Sequence, residues 1–553
     1  MRPASAVWFR PLLCAVLAAV LAATPLADAL ARPPAVAAKT GAARKPAAQK
    51  PIGKKAASRP KAAAAKPPAK FAAKPAAKAT RGQPAVVRPR QTPLPPKPVP
   101  APAVPVQASG VDPERAQALA ASLSRVPGKV AVAGLIVDAD SGAVVMDLQA
   151  QRPMYPASVA KLFSTAAAAR TFAPDHVLKT EVRVGPVESG RAAWLAVVGS
   201  GDPSMDAGDW AKLAEQVAAT GIRQVSKLVI DATVFDDHLP AGFDEKQTDA
   251  AYRAPIGGIQ SSSGALSVQV RPGPVGAPPS VILLPDPGEA AVVVNQAQTI
   301  AGGKDTLAIS TRPLGRRTEI VVTGTIAASR KVVGSGARRV ADGSYFAAGV
   351  FRMALERRGV TVRGETHFGP AEAGKALASH TSPPMRQLLA HTNKHSHNGY
   401  AETLFKLVGA KVGGVPATNA KSQESVRKAL EGLQIRWERV KLGNGSGLYH
   451  ADQVTCETVV DLLRAMAADP AGEVWRSSLP IGGKDGTLRG RQHAFAGQVR
   501  AKTGTLDDVS GLAGYAEADG RRYVFAFFFN NLRGGPGPYR AAQDRTLQRL
   551  LQP

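Results

Sequence analysis

The sequence predicts a mixed α/β protein in which one domain of helices and strands is interrupted by a long β-rich insert. Three observations carry this. Between residues 129 and 172 a strand–turn–strand pattern leads directly into a helical run. From about 180 to 380 short Val/Ile-rich segments recur, punctuated by Gly and Pro. From Ser382 onward helical runs return, and the chain closes on a strand-like stretch and a helix.

Residues 1–31 read as a secretory signal peptide. Arg2 and Arg10 give the positive start, 11–24 is apolar, and small residues at Ala27, Ala29 and Ala31 suit cleavage. The apolar run is short for a bilayer span. Residues 32–108 are Ala, Lys and Pro in loose repeats, expected to be a disordered, extended, cationic linker because they cannot bury enough surface to offset ordering. Arg32 to Lys97 carries 17 Lys and Arg with no Asp or Glu, more than half of the net charge of +28. A basic chain invites a nucleic-acid reading. Here the charge sits in a tail behind an export signal, so the expected role is a spacer, or a tether to an anionic envelope surface, with no nucleic-acid partner. Cys14 falls in the signal and Cys456 stands alone, which leaves no disulfide framework in a mature chain.

The split domain is expected at 109–180 and 381–553, with the insert at 181–380. A helix is expected over 113–124, strands over 129–138 and 143–148 around a turn at 138–142, and a helix over 158–172. The insert offers strands at 193–198, 227–230, 281–284, 291–294 and 319–323. Beyond it come helices at 385–390, 398–412, 421–432 and 456–469, a strand-like region at 511–531, and a last helix at 537–551.

Chemistry concentrates at three places. Ser158 and Lys161 are spaced i, i+3, which on a helix puts both side chains on one face. A serine hydroxyl needs a base beside it, and a lysine partly desolvated in a cleft can serve. The spacing alone is weak, since Ser58/Lys61 and Ser425/Lys428 share it; the second pair reads as a solvated helix face. Lys-Thr-Gly also occurs twice, at 39–41 and 502–504. Order raises the specificity. Ser396-His397-Asn398 is the only Ser-x-Asn, at a loop-to-helix start, and Lys502-Thr503-Gly504 follows an alternating strand-like run at 497–501. A strand there would edge the cleft, with Gly504 letting a substrate approach closely. The three motifs in this order are those of penicillin-binding proteins and class A β-lactamases, and they mark a serine acyl-transfer site.

Over roughly residues 110–550 the chain resembles the low-molecular-mass class C penicillin-binding proteins, serine D-Ala-D-Ala carboxypeptidases and endopeptidases. Beyond the three motifs, the resemblance rests on Gly199-Ser-Gly-Asp-Pro203, Ala254-Pro255, Gly264–Val268, Asn444-Gly-Ser-Gly-Leu448 and Asp485-Gly-Thr-Leu488. It implies a serine β-lactamase/transpeptidase-like catalytic domain, an antiparallel sheet with helices, interrupted by the insert. It implies Ser158 as acylated nucleophile, Lys161 as its base, Ser396 relaying protons and Asn398 binding the substrate amide. Lys502, assisted by Thr503, would hold the terminal carboxylate, and the N–H groups of Ser158 and Thr505 would form the oxyanion hole. Peptidoglycan stem peptides are then the substrates and β-lactams the covalent inhibitors, at the periplasm or cell envelope, with no cofactor. The motifs fit a carboxypeptidase and an endopeptidase alike.

Two positions depart from the family pattern. His397 stands where Asp or Asn is common, and Tyr449-His450 stands where Ser-Arg is frequent. His391, His395 and His397 cluster, but no carboxylate or cysteine set accompanies them, so no metal is expected. Asp236-Asp237-His238 reads as a turn, and Cys456 as core. The competing readings are a β-lactamase or esterase on the same scaffold, against which the insert speaks, and a non-catalytic wall-binding protein, against which the intact motifs speak.

Overall fold

The computed structural model describes residues 112–552. The expected signal peptide and cationic linker lie outside these residues, as do Ser58/Lys61 and Lys39-Thr40-Gly41. Helix α1 (Pro113–Ser124) starts where Asp112 caps the N–H groups of Glu114 and Arg115. Strands Ala131–Asp138 and Val144–Leu148 form the expected hairpin.

This hairpin does not stand alone. A five-stranded antiparallel sheet runs in the order Val144–Leu148, Ala131–Asp138, Arg521–Asn530, Val509–Ala518, Val499–Leu506. The strand-like region near 511–531 is thus two strands joined by a tight turn at 519–520. Both faces of the sheet are covered. Phe525, Phe527 and Phe529 pack toward α1 and the last helix (Gly537–Leu551), while Val524, Ala526 and Phe528 point to the opposite core. A strand buried on both faces loses its polar alternation, which accounts for the unbroken Val524–Phe529 run.

The opposite core is helical. It contains α2 (Lys161–Thr171), α5 (Met385–His395), α6 (Asn398–Gly413), α7 (Asn419–Ala429) and α8 (Cys456–Ala468). Two boundaries differ from expectation. The first α-helical residue after the hairpin is Lys161, and Ser158 lies just before it in a 3-10 turn, Ala157–Ala160. Helix α5 runs on to His395, so Ser396 follows a helix directly rather than a loop.

A further core is built from residues 182–378. A mixed five-stranded sheet orders Thr366–Phe368, Leu228–Asp231, Leu195–Val198, Lys179–Val184 and Lys375–Thr381. Smaller sheets hold Ala265–Arg271 against Ser280–Leu284, and Ala291–Asn295 parallel to Arg317–Thr323. The insert is not purely β. Helix α3 (Ala207–Ala219) packs on its large sheet against Lys375–Thr381, and α4 (Gly343–Arg357) packs against α3. Helix α3 carries Trp210, Leu213, Ala214 and Val217 inward and a capping box of Asp206 and Asp209. Among the described residues no helix is long and apolar enough to cross a membrane.

Candidate active site

The turn that carries Ser158 is held between two close walls. Ala157 has φ 48°, and Gly447, at φ +73°, lies so near that a Cβ there would come within 1.9 Å of the Ala157 carbonyl oxygen. On the other side, a Cβ on Gly504 would meet the Pro156 carbonyl oxygen at 2.5 Å and Ala157 Cβ at 3.2 Å. Its missing side chain makes room for the turn that carries Ser158.

Lys161 opens α2 and is fully buried. Its Nζ lies 2.8 Å from Ser158 Oγ, 2.7 Å from Asn398 Oδ1 and 2.7 Å from the Ser446 carbonyl oxygen. Two of these partners accept only. A neutral amine has two N–H bonds and one lone pair. With both N–H bonds given to Asn398 and Ser446, the lone pair is left facing the serine hydroxyl. Burial pushes the Lys161 ammonium down to about 7, opposed by the charges of Glu402 and Asp452.

Ser396, at φ 54°, makes the corner between α5 and α6, which brings its hydroxyl to 2.8 Å from Lys502 Nζ. Lys502 is fully buried on the edge strand and also donates to the Thr503 carbonyl at 2.8 Å. Among the described residues no carboxylate pairs with it. Burial and the neighbouring Lys161 hold its ammonium well below the ordinary lysine range. Thr503 Oγ1 donates to Thr487 Oγ1, and Thr505 Oγ1 accepts from Arg540. Ser158, Asn398 and Thr505 line an open cavity of about 480 Å³ together with Tyr252, Tyr449 and His450. Of the other expected site residues, Lys161 contacts Ser158 and Asn398, Ser396 contacts Lys502, and Gly504 packs against the turn before Ser158.

Asn398 is shared. Its amide nitrogen donates to the carbonyl of Tyr252, a residue of the insert, at 3.0 Å, so the insert reaches the edge of the cleft. His397 turns away. Its Nδ1 accepts the Tyr400 N–H and caps α6, and burial, with His391, Lys161 and His395 nearby, pulls its imidazolium down to about 4. His391 stacks among His395, His397 and Tyr400. Asp236 pairs with the buried Lys406 of α6, and Cys456 lies in the core. The decoy pair Ser425/Lys428 is not a plain solvated face: Ser425 is buried against Gly413 while Lys428 is exposed, so the two face different surroundings.

Sequence reasoning missed Glu402 and Asp452, both fully buried behind Lys161. A signal existed for Glu402, a carboxylate within the apolar run Tyr400–Phe405 and one helical turn beyond Asn398. None existed for Asp452, which sits in an irregular segment and meets the site only through tertiary contact.

With this geometry in view, the chain can be set beside known proteins. Residues 115–549 match the model of the D-Ala-D-Ala carboxypeptidase 3 (S13) family. A D-alanyl-D-alanine carboxypeptidase of Actinomadura sp. (strain R39) is 35% identical over 444 residues, covering 76% of this chain and 81% of the relative. Penicillin binding protein 4 (dacB) from Haemophilus influenzae matches in structure with a TM-score of 0.70 at 22% identity, covering 79% of this chain and 99% of that one. The same protein complexed with a β-lactam matches with a TM-score of 0.65 at 21% identity, with the same coverage.

Proposed function

Because the chain belongs to the D-Ala-D-Ala carboxypeptidase 3 (S13) family, we propose that it removes terminal D-Ala from peptidoglycan stem peptides through an acyl-enzyme on Ser158. The observation that carries this is the three-point setting of Lys161 Nζ, whose two acceptor partners leave a lone pair for the Ser158 proton.

Acylation then proceeds as follows. Ser158 Oγ bonds to the carbonyl carbon of the penultimate D-Ala while its proton moves to Lys161. The carbonyl oxygen takes up the negative charge beside the N–H groups of Ser158 and Thr505. The C–N bond breaks as the proton held by Lys161 passes through Ser396 to the leaving amine, which returns Lys161 to its neutral form. Lys502, a buried cation with no carboxylate partner among the described residues, attracts the terminal carboxylate, with Thr503 beside it. Gly504 sets the spacing between the edge strand and the nucleophile turn. The strand Val499–Leu506 ends the sheet; the 480–482 segment already pairs with Val499 and Ala501 on its outer edge, so the part beyond Ala501 is left to pair with an extended peptide. Asn398 orients both Lys161 and the substrate amide. Water repeats the sequence on the ester and frees Ser158. β-Lactams enter the same path and stall at the acyl-enzyme.

The division into 109–180, 181–380 and 381–553 fits this reading, as the interrupted parts supply every motif. Residues 1–31 would direct export to the periplasm or cell envelope, and residues 32–108 would space or tether the enzyme at an anionic surface. The test is direct. Ser158→Ala should abolish covalent labelling by a fluorescent penicillin and release of D-Ala from a D-Ala-D-Ala peptide. Unchanged labelling would refute the assignment. Product analysis of digested peptidoglycan separates carboxypeptidase from endopeptidase activity.

A further inference from the structure

We propose that Glu402 and Asp452 are positioning residues for acylation: they clamp the 443–447 loop against Lys161 and supply the counter-charge that lets its amine accept the Ser158 proton. This rests on the reading of Ser158 and Lys161 above. Glu402 lies on α6, one turn after Asn398, and its Oε2 accepts the Gly445 N–H at 2.9 Å. Asp452 Oδ1 accepts the N–H groups of Gly443 at 2.5 Å and Asn444 at 3.1 Å. The clamped loop presents the Ser446 carbonyl to Lys161 and the Gly445 carbonyl to Ser164. Both carboxylates are fully buried, and each keeps one oxygen, Glu402 Oε1 and Asp452 Oδ2, without a hydrogen-bond partner. Among the described residues neither forms an ion pair with Arg or Lys. A loop clamp needs only neutral acceptors, so two buried carboxyl groups left half-satisfied call for a further role.

That role follows from charge. The other groups facing Lys161 are Lys502 on the edge strand and His397 at the start of α6, and neither is negative. Lys406, further along α6, is taken by Asp236. Burial raises Asp452 to about 7 and pushes Glu402 up as well, and the two carboxylates raise the Lys161 amine against its own burial. Two ionised carboxylates beside a neutral amine would leave two uncompensated charges in a dry volume, which is costly. One proton therefore stays on the carboxylate pair, and the remaining charge faces Lys161. As Ser158 Oγ bonds to the substrate carbon, its proton passes to the Lys161 lone pair and the new ammonium meets that charge.

The test is the pH profile of acylation by a chromogenic penicillin, using the full chain. The pair carries one charge, which either carboxyl group can keep alone, so only the double variant Glu402→Gln/Asp452→Asn removes it and weakens the amine as a base. That variant should move the acid limb to lower pH by about one unit and lower the plateau about tenfold. A purely structural role lowers the rate and leaves the limb in place, so an unmoved limb in the folded double variant overturns the proposal. Should it fail to fold, the unmodified protein decides. Carbon-13 NMR of the Lys161 ε-carbon should titrate in two steps, because a coupled carboxylate changes charge in the same range, and a single step would overturn it. Failure of the underlying site assignment looks different, since Ser158→Ala would then still be labelled.

Discussion

Lys502 Nζ, itself fully buried, donates to Ser396 Oγ across 2.8 Å, so the second and third motifs meet in one hydrogen bond. A buried ammonium held by a hydroxyl and a carbonyl is under-compensated. Substrate carboxylate restores the balance. Lys502→Met should reduce kcat/KM for D-Ala-D-Ala peptides by about 10²–10³-fold, while an uncharged ester substrate without a terminal carboxylate should lose far less. Equal losses for both substrates would remove Lys502 from carboxylate binding.

The acid limb of kcat/KM is expected near pH 7. Lys161 must be neutral to take the Ser158 proton, and burial lowers its ammonium to about 7. Activity should therefore fall about tenfold per unit as pH drops below that point. Replacing Lys161 by Ala should cost about 10²–10⁴-fold in acylation rate at pH 8 and remove this limb. A stopped-flow profile from pH 5 to 9 checks both.

Gly447 and Gly504 should resist substitution for the same reason. A Cβ at either position enters the space of the nucleophile turn, within 1.9 Å and 2.5 Å of backbone oxygens, and Gly447 also has φ +73°. Backbone cannot step aside as a flexible side chain does. Each Gly→Ala change should destabilise by about 1–3 kcal/mol and lower penicillin acylation. Denaturant unfolding together with labelling rates measures the two effects, and a fully stable, fully active Gly504→Ala would contradict the packing role.

His397 should be dispensable to the chemistry. Its ring caps α6 and is held neutral at working pH, since burial pulls it to about 4. His397→Asn keeps a capping acceptor. It should change kcat/KM by less than about twofold and leave the pH profile in place. A lost or shifted limb would assign the imidazole an acid/base function.

Much of this was legible in residue order. The outer helices at Pro113–Ser124 and Gly537–Leu551 fall at their expected bounds, each with a proline in its first turn. The insert was read too uniformly. Val/Ile-rich strands on either side masked α3, although Trp210, Leu213, Ala214 and Val217 follow helical spacing behind the Asp206–Asp209 box. Ser158 shifted from a helix to the 3-10 turn before it, because Ala157 must adopt a positive φ between two close walls, a condition imposed by residues about 290 and 350 positions away.

Local sequence by itself pointed to the proposed chemistry, since the proposed nucleophile, base and carboxylate anchor are residue types in short motifs whose order survives any folding detail. It pointed to a split architecture too, because apolar periodicity changes at the insert's edges. Only the tertiary structure decided what surrounds those groups. The lone pair of Lys161 is aimed by Asn398 and Ser446, its charge is opposed by Glu402 and Asp452, and Gly504 serves the turn behind it. Desolvation and close packing depend on atoms distant in sequence, and no local pattern carries them.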